Sequence, residues 1–293
     1  MIKAAFIALF NLALFNLLFA ISVASAQTAT PTTSTVDPRL GCDAVKEFPL
    51  PDLGEPQNID NFKKQLIYYR CSAYEDDIAR VLAAAEKWVA ARAPQVSSPA
   101  IVLDIDETSL LNWPRIVEDD FAYIGSIPFL KLPESAKDGQ PANIPDCDFA
   151  AHDVCGDLDW QQKGLAPAIG PTLKLYRQAR CIGVSGPCTP IDVFFVTGRK
   201  EHEYNKEMPS KWTLRNLKAA GYVDVAPDHL YMRGLTPDQG VADYKTSKRC
   251  EIESRGFKII ASVGDQRSDL EGGCAEMTFK VPNPFYFIPS KGN

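Results

Sequence analysis

Histidine is scarce in this chain, with three residues in 293. That scarcity argues against multi-histidine di-metal hydrolase sites and leaves few imidazoles for any other role. No two cysteines form a C-x-x-C, which removes support for zinc knuckles and thioredoxin-like redox sites. G-x-S-x-G, P-loop and G-x-G-x-x-G strings are also missing, so serine-triad and nucleotide-cofactor chemistry lose their sequence basis. Positive charge is in deficit: 31 Lys and Arg face 37 Asp and Glu, and a net charge of −6 excludes a polymer-binding face for nucleic acid built on basic residues. There is no internal repeat and no collagen-like, coiled-coil or multi-pass membrane composition. The remainder, 45% hydrophobic and 23% charged, supplies a sizeable core for one or two globular domains.

The N-terminus differs from the rest. Lys3 precedes an apolar run from Ala4 to Ala24, broken only by Asn11, Asn16 and Ser22. It closes on Ala24-Ser25-Ala26, the small residues a signal peptidase reads, so cleavage before Gln27 is expected and residues 1–26 read as a signal peptide. The competing reading is a retained membrane anchor, since about 20 apolar residues span a bilayer. Residues 27–58 read as a flexible leader, because six of the ten from Gln27 to Val36 are Ser or Thr. Export, to the periplasm or the exterior with no stable membrane anchor, gives the eight cysteines meaning as structural disulfides. Cys147/Cys155 and Cys181/Cys188 are close enough in sequence to close short loops, which leaves Cys42/Cys71 and Cys250/Cys274.

From residue 59 onward, secondary-structure signals alternate. Ile59–Ala93 is helical in composition, with Ile78, Val81, Leu82, Ala85 and Val89 at three- and four-residue spacing and Pro94 as a stop. Ala100–Asp104, Ile191–Val196 and Lys258–Val263 are short apolar runs that suit strands buried on both faces. His229–Met232 is a weaker strand, and Pro171–Arg180, Ser210–Ala220 and Lys245–Arg255 read as helices. This alternation predicts an α/β fold: a parallel sheet with helices on both faces. Residues 112–168 stand apart as a long stretch rich in Asp, Pro and Gly, directly after the first strand, where open α/β sheets bind ligands.

The singular acids lie at the C-terminal ends of those strands. The first ends in Asp104-Ile105-Asp106-Glu107-Thr108, the second in Thr197-Gly198-Arg199, and the third in Asp265 with Asp269 four residues on. Carboxylates gathered at one edge repel one another, so a hard divalent cation with oxygen ligands is expected, and magnesium fits a site with few protein ligands. Asp104 is placed to act as a nucleophile and Asp106 as the group that protonates a leaving oxygen and then activates water. Thr197 offers a hydroxyl and Gly198 an approachable N–H to phosphoryl oxygens, Lys245 would neutralise both, and Asp265 with Asp269 would anchor the metal. Taken singly, each has a plainer reading as a helix cap, a turn or a surface lysine. A calcium loop fits poorly, because no glycine stands at its sixth position.

Six segments give these residues a resemblance. VLDIDETSLLNW (102–113), LAPAIGPTLKLYR (165–177), FFVTGRKE (194–201), ADYKTSKR (242–249), SVGDQRSDL (262–270) and FKVPNPFYFIP (279–289) resemble the haloacid dehalogenase (HAD) superfamily, subfamily IIIB acid phosphatases. That group includes bacterial class B and class C enzymes and plant vegetative storage proteins. The resemblance implies a HAD-like Rossmannoid sheet with a smaller cap or insertion region, spanning residues 59–293 with the insertion at about 112–168. It implies a magnesium-dependent acid phosphatase that hydrolyses small phosphomonoesters, nucleotides among them, through a phospho-aspartate. Asp104 would be the nucleophile, Asp106 the acid/base, and Thr197 and Lys245 the phosphate-binding groups. Asp104, Asp265 and the Asp106 carbonyl would hold the metal, with Asp269 supporting it through water. The leader has no lipid-anchor cysteine of the kind some bacterial relatives carry. The alternatives are a non-catalytic storage or binding protein on the same scaffold and another HAD phosphotransferase.

His152, His202 and His229 have no partners at ligand spacing and read as ordinary polar residues. Trp113, Phe121, Tyr123 and Trp160 lie in or beside the long stretch. They read either as local core or as rings stacked over the phosphate site.

Overall fold

The computed structural model describes residues 58–118, 121, 156–235 and 239–289. The described residues form five strands: β1 (Pro99–Leu103), β2 (Asp192–Lys200), β3 (Leu230–Arg233), β4 (Lys258–Gly264) and β5 (Thr278–Lys280). They make one all-parallel sheet in the order β3-β2-β1-β4-β5. The helices are α1 (Ile59–Ser72), α2 (Tyr74–Arg92), α3 (Trp113–Glu118), α4 (Gly156–Lys163), α5 (Gly170–Ala179), α6 (Pro209–Ala219) and α7 (Val241–Ser254).

Strand residues alternate between two cores. Ile101 and Leu103 of β1 and Val193 and Phe195 of β2 pack with Ile78, Leu82 and Val89 of α2, Leu175 of α5 and Leu217 of α6. Ala100, Val102, Phe194 and Val196 point to the opposite face, against Tyr244 and Ile252 of α7. Apolar side chains covered on both faces explain why these strands read as unbroken hydrophobic runs. The register between β1 and β4 slips after Ala100, and the Ile260 carbonyl in the slipped stretch accepts a bond from Trp88 Nε1 at 2.8 Å.

The order also places the site. The chain runs from β1 outward to β2 and β3, then crosses to the other side of β1 for β4 and β5. Parallel sheets open a crevice at the C-terminal ends of the strands on either side of such a reversal. The exits of β2, β1 and β4 lie side by side there, and these carry Thr197, Asp104 and Asp265.

Several boundaries differ from expectation. The helical stretch 59–93 is two helices, because Ala73 leaves the helical region at φ −131°. Strand β2 continues through Thr197-Gly198-Arg199 to Lys200 instead of ending before them. Lys245 lies one turn inside α7 instead of at its start. β5 is three residues long, with only Phe279 apolar between Thr278 and Lys280, so no apolar run announces it. Residues 112–168 contain α3 and α4 in their described parts. No described helix is long and apolar enough to cross a membrane. The expected signal peptide, most of the leader, Tyr123, His152, Cys42, Cys147 and Cys155 lie outside the described residues. Cys181–Cys188 and Cys250–Cys274 are disulfides, and exposed Cys71 forms none among the described residues.

Candidate active site

Asp104 follows the last residue of β1, and its backbone N–H still bonds to the β4 carbonyl of Val263 at 3.0 Å. That bond fixes the carboxylate at the crevice mouth. Lys245 of α7 reaches it with Nζ at 2.7 Å from Oδ1, and the same ammonium bonds Asp269 Oδ1. Burial works against the Lys245 charge, but Asp104 and Asp269 more than offset this and hold its proton more tightly than usual. Asp265 leaves the end of β4 and accepts bonds from Asn283 Nδ2 at 2.7 Å, Gln266 Nε2 at 2.5 Å and Thr108 Oγ1 at 3.2 Å. Asp269 is folded back onto the strand end. A Cβ on Gly264 would lie 2.2 Å from the Asp269 Cβ, so only glycine allows that approach. Asp269 Oδ2 also caps its own short turn by accepting the Gln266 N–H at 2.9 Å.

Oxygens of Asp104, Asp265 and Asp269 lie within 4.8 Å of one another, all buried. Burial, and then the Asp269 charge, raises the Asp104 carboxyl well above its ordinary range despite Lys245. The same two causes raise Asp265. One ammonium therefore does not balance three buried carboxylates. An all-oxygen donor set in surplus of negative charge fits a hard divalent cation.

Asp106 is turned to a different partner. Its carboxylate is not in that cluster but sits in the fork of Arg199, with Nη2 2.7 Å from Oδ1 and Nε 3.0 Å from Oδ2. Asn112 Nδ2 adds a bond to Oδ1 at 2.8 Å. Burial opposes ionisation here, but Arg199 wins and lowers the Asp106 carboxyl below its usual range. Thr197 is buried in β2, its Oγ1 accepting the Arg199 N–H at 3.1 Å. Gly198 lies between them, and a Cβ there would meet only the Val241 side chain at 3.5 Å.

Sequence reasoning assigned no role to Glu107, Arg199, Asn112, Asn283 or Tyr286. Glu107 adopts a left-handed φ of 52°, which turns its buried carboxyl toward the Asn112 N–H at 2.8 Å and the Tyr286 hydroxyl. Burial and then Asp106 push the Glu107 carboxyl up to about 8. Asn283 and Tyr286 bring the closing FKVPNPFYFIP segment back over Asp265 and Glu107. Only the resemblance marked that segment, since neither residue has a periodic or motif signal of its own.

Trp113, Phe121 and Trp160, the described aromatic residues of the 112–168 stretch, pack as local core. Trp113 packs against Phe121 and Phe285 at 5.9 and 4.9 Å between ring centroids, and Trp160 is buried with Nε1 2.9 Å from Asn112 Oδ1. His229 stacks on Phe194 at 4.2 Å.

A family model described as HAD superfamily, subfamily IIIB (acid phosphatase) matches residues 157–289. That span holds Thr197, Gly198, Lys245, Asp265 and Asp269 and begins after Asp104 and Asp106. The chain is similar to acid phosphatase 1 of Solanum lycopersicum, 36% identical over 132 residues, which are 44% of this chain and 46% of that one. It is similar to the stem 28 kDa glycoprotein of Glycine max, 33% identical over 44% of this chain and 47% of the relative. The chain spans about half the length of the curated relatives it matches. Its fold matches the class C acid phosphatase from Bacillus anthracis at a TM-score of 0.50, with 19% identity over 75% of this chain and 83% of that chain. At that identity the likeness is one of fold. Residues 157–289 are thus similar to the HAD superfamily, subfamily IIIB, and the sheet shares the fold of a class C acid phosphatase.

Proposed function

We propose that the protein is an exported acid phosphatase that hydrolyses small phosphomonoesters, nucleotides among them, through a phospho-aspartate on Asp104. The observation that carries this reading is the convergence on Asp104. A buried ammonium bonds it at 2.7 Å, two further carboxylates approach within 4.8 Å, and Asp106 stands two residues on in a separate guanidinium fork.

Each group then has a task. Asp104 attacks phosphorus as the ester P–O bond breaks, and Asp106 delivers a proton to the departing oxygen. Because Arg199 favours ionised Asp106, the proton comes with the substrate: near and below its second pKa of about 6, a phosphomonoester carries one. Asp106 then takes a proton from water as that oxygen attacks phosphorus and the Asp104–phosphorus bond breaks, and the proton leaves Asp106 with inorganic phosphate, so both carboxylates return to their starting state. Lys245 neutralises the nucleophile and a phosphoryl oxygen, while the Thr197 hydroxyl and the Gly198 N–H hold the others. Asp104, Asp265 and the Asp106 carbonyl would hold a magnesium ion, with Asp269 supporting it through water. When bound, the cation supplies positive charge against the phosphoryl group. The two disulfides support an oxidising compartment and hence a secreted or periplasmic protein.

The test is hydrolysis of an aryl phosphate and a panel of nucleotides and sugar phosphates, with and without a chelator. Activity should vanish on chelation and return with magnesium. A rate unchanged by exhaustive chelation refutes the metal assignment. A protein inert toward every ester would leave the storage or binding reading standing.

A further inference from the structure

Asp106 is held unevenly. Its Oδ1 accepts from Arg199 Nη2 at 2.7 Å and from Asn112 Nδ2 at 2.8 Å, whereas Arg199 Nε lies nearer Oδ2, at 3.0 Å against 3.2 Å, and is the one donor to Oδ2 among the described residues. A carboxylate oxygen has two lone pairs, so Oδ1 is saturated and Oδ2 keeps one free. The Asp106 side chain retains 25% of its exposure while Arg199 retains 3%, so the carboxylate can be reached from outside and the guanidinium cannot.

Asn112 has no freedom to flip. Its Oδ1 accepts the Trp160 indole N–H at 2.9 Å, and an indole N–H can only donate. The NH2 end therefore faces Asp106 and also reaches Glu107 Oε2 at 3.3 Å. A flipped amide would set two donors against each other at Trp160 and an oxygen against the Asp106 carboxylate. The Asn112 backbone is pinned as well, by its N–H to Glu107 Oε1 at 2.8 Å. Trp160 stands on α4, 48 residues along the chain, and is buried.

We infer that Asn112, oriented by Trp160, is a positioning residue that occupies Oδ1 of Asp106 and so selects Oδ2 as the atom that exchanges the proton with the leaving oxygen. The inference rests on the phosphatase reading above. Proton transfer needs one oxygen aligned with the departing atom. Without Asn112 the carboxylate keeps its Arg199 partner but presents either oxygen.

The experiment measures kcat/KM, which reports the step of leaving-group departure, for an alkyl phosphate and for an aryl phosphate with a good leaving group. Asn112→Ala should lower the alkyl value about 10- to 100-fold and the aryl value less than about threefold, since a good leaving group needs little protonation. Asn112→Leu keeps the size, removes the donor and should shift the ratio the same way if the alanine variant does not fold. Trp160→Phe keeps an aromatic ring but loses the N–H with part of the indole's bulk, so it should shift the ratio in the same direction by less. The double variant should be no worse than Asn112→Ala alone, because the indole acts through the amide. Equal losses on both esters, or no loss, in folded Asn112 variants overturn the inference. So does additivity with Trp160→Phe. A wild-type protein inert toward both esters overturns the phosphatase reading itself, and the inference with it, before any variant is made.

Discussion

At the scale of single residues, Asp104 is the test of chemistry against packing. Its carboxylate accepts from Lys245 at 2.7 Å in a buried setting, and asparagine preserves both shape and an acceptor oxygen for that bond. Asp104→Asn also removes one of three crowded charges and leaves Lys245 paired with Asp269. The fold should therefore survive, with an unchanged circular dichroism spectrum. Turnover should fall at least about 100-fold, because an amide cannot become an acyl phosphate. A folded variant that keeps more than about a hundredth of the wild-type rate sinks the nucleophile assignment.

At the scale of elements, α7 is stitched to the loop that carries the acids. Lys245 and Arg249 are four residues apart and share one face of the helix. Buried Arg249 donates to the carbonyls of Ser268, Asp269 and Gly273 at 3.2, 3.1 and 3.2 Å and to that of Glu271, and Cys250 is bridged to Cys274 beside them. Gly272 completes the fit at φ +90°, where a Cβ would lie 2.1 Å from the Thr246 hydroxyl. Arg249→Met keeps the stem but orphans those carbonyls, so it should lower stability by at least about 2 kcal/mol. The measurement is the urea midpoint at unchanged slope, and a shift under about 0.5 kcal/mol would show that water replaces the guanidinium. This stitching also shows what the sequence could reveal. The exits of β1, β2 and β4 were legible because each apolar run stops at its polar residues, so the sheet brings Asp104, Thr197 and Asp265 together without further information. Arg249, Asn112 and Asn283 were not legible as site residues. Their site partners lie at separations of 19–24, 5–48 and 18 residues, and nothing in a helical or strand period marks such pairs. Asp106 was legible as an acid after a strand, but its Arg199 fork depends on β2 running on past Val196, which the apolar pattern does not disclose.

At the scale of the whole molecule, the acid cluster ties stability to metal. Three buried carboxylates meet one ammonium in the folded state, while in the unfolded chain they are dispersed and hydrated. A cation that binds only the folded form stabilises it by RT ln(1 + [L]/Kd), about 2.7 kcal/mol at a hundredfold excess over Kd. For a domain of this size that raises the melting temperature by roughly 5–10 °C. Magnesium should produce that rise where sodium chloride of equal ionic strength does not, because general screening acts weakly on buried groups. Asp265→Asn should abolish it. Asparagine can keep the bonds to Asn283 and Gln266 through its oxygen and turn its amide toward the Thr108 hydroxyl, which can accept. The variant thus loses a charge without orphaning a partner, and burial and Asp269 already disfavour that charge. It should melt no lower than wild type without metal and show no magnesium shift. An undiminished shift in the variant would place the cation elsewhere. A metal-free melting point several degrees below wild type would mean that the Asp265 charge stabilises the fold through its hydrogen bonds more than its acidic neighbours oppose it.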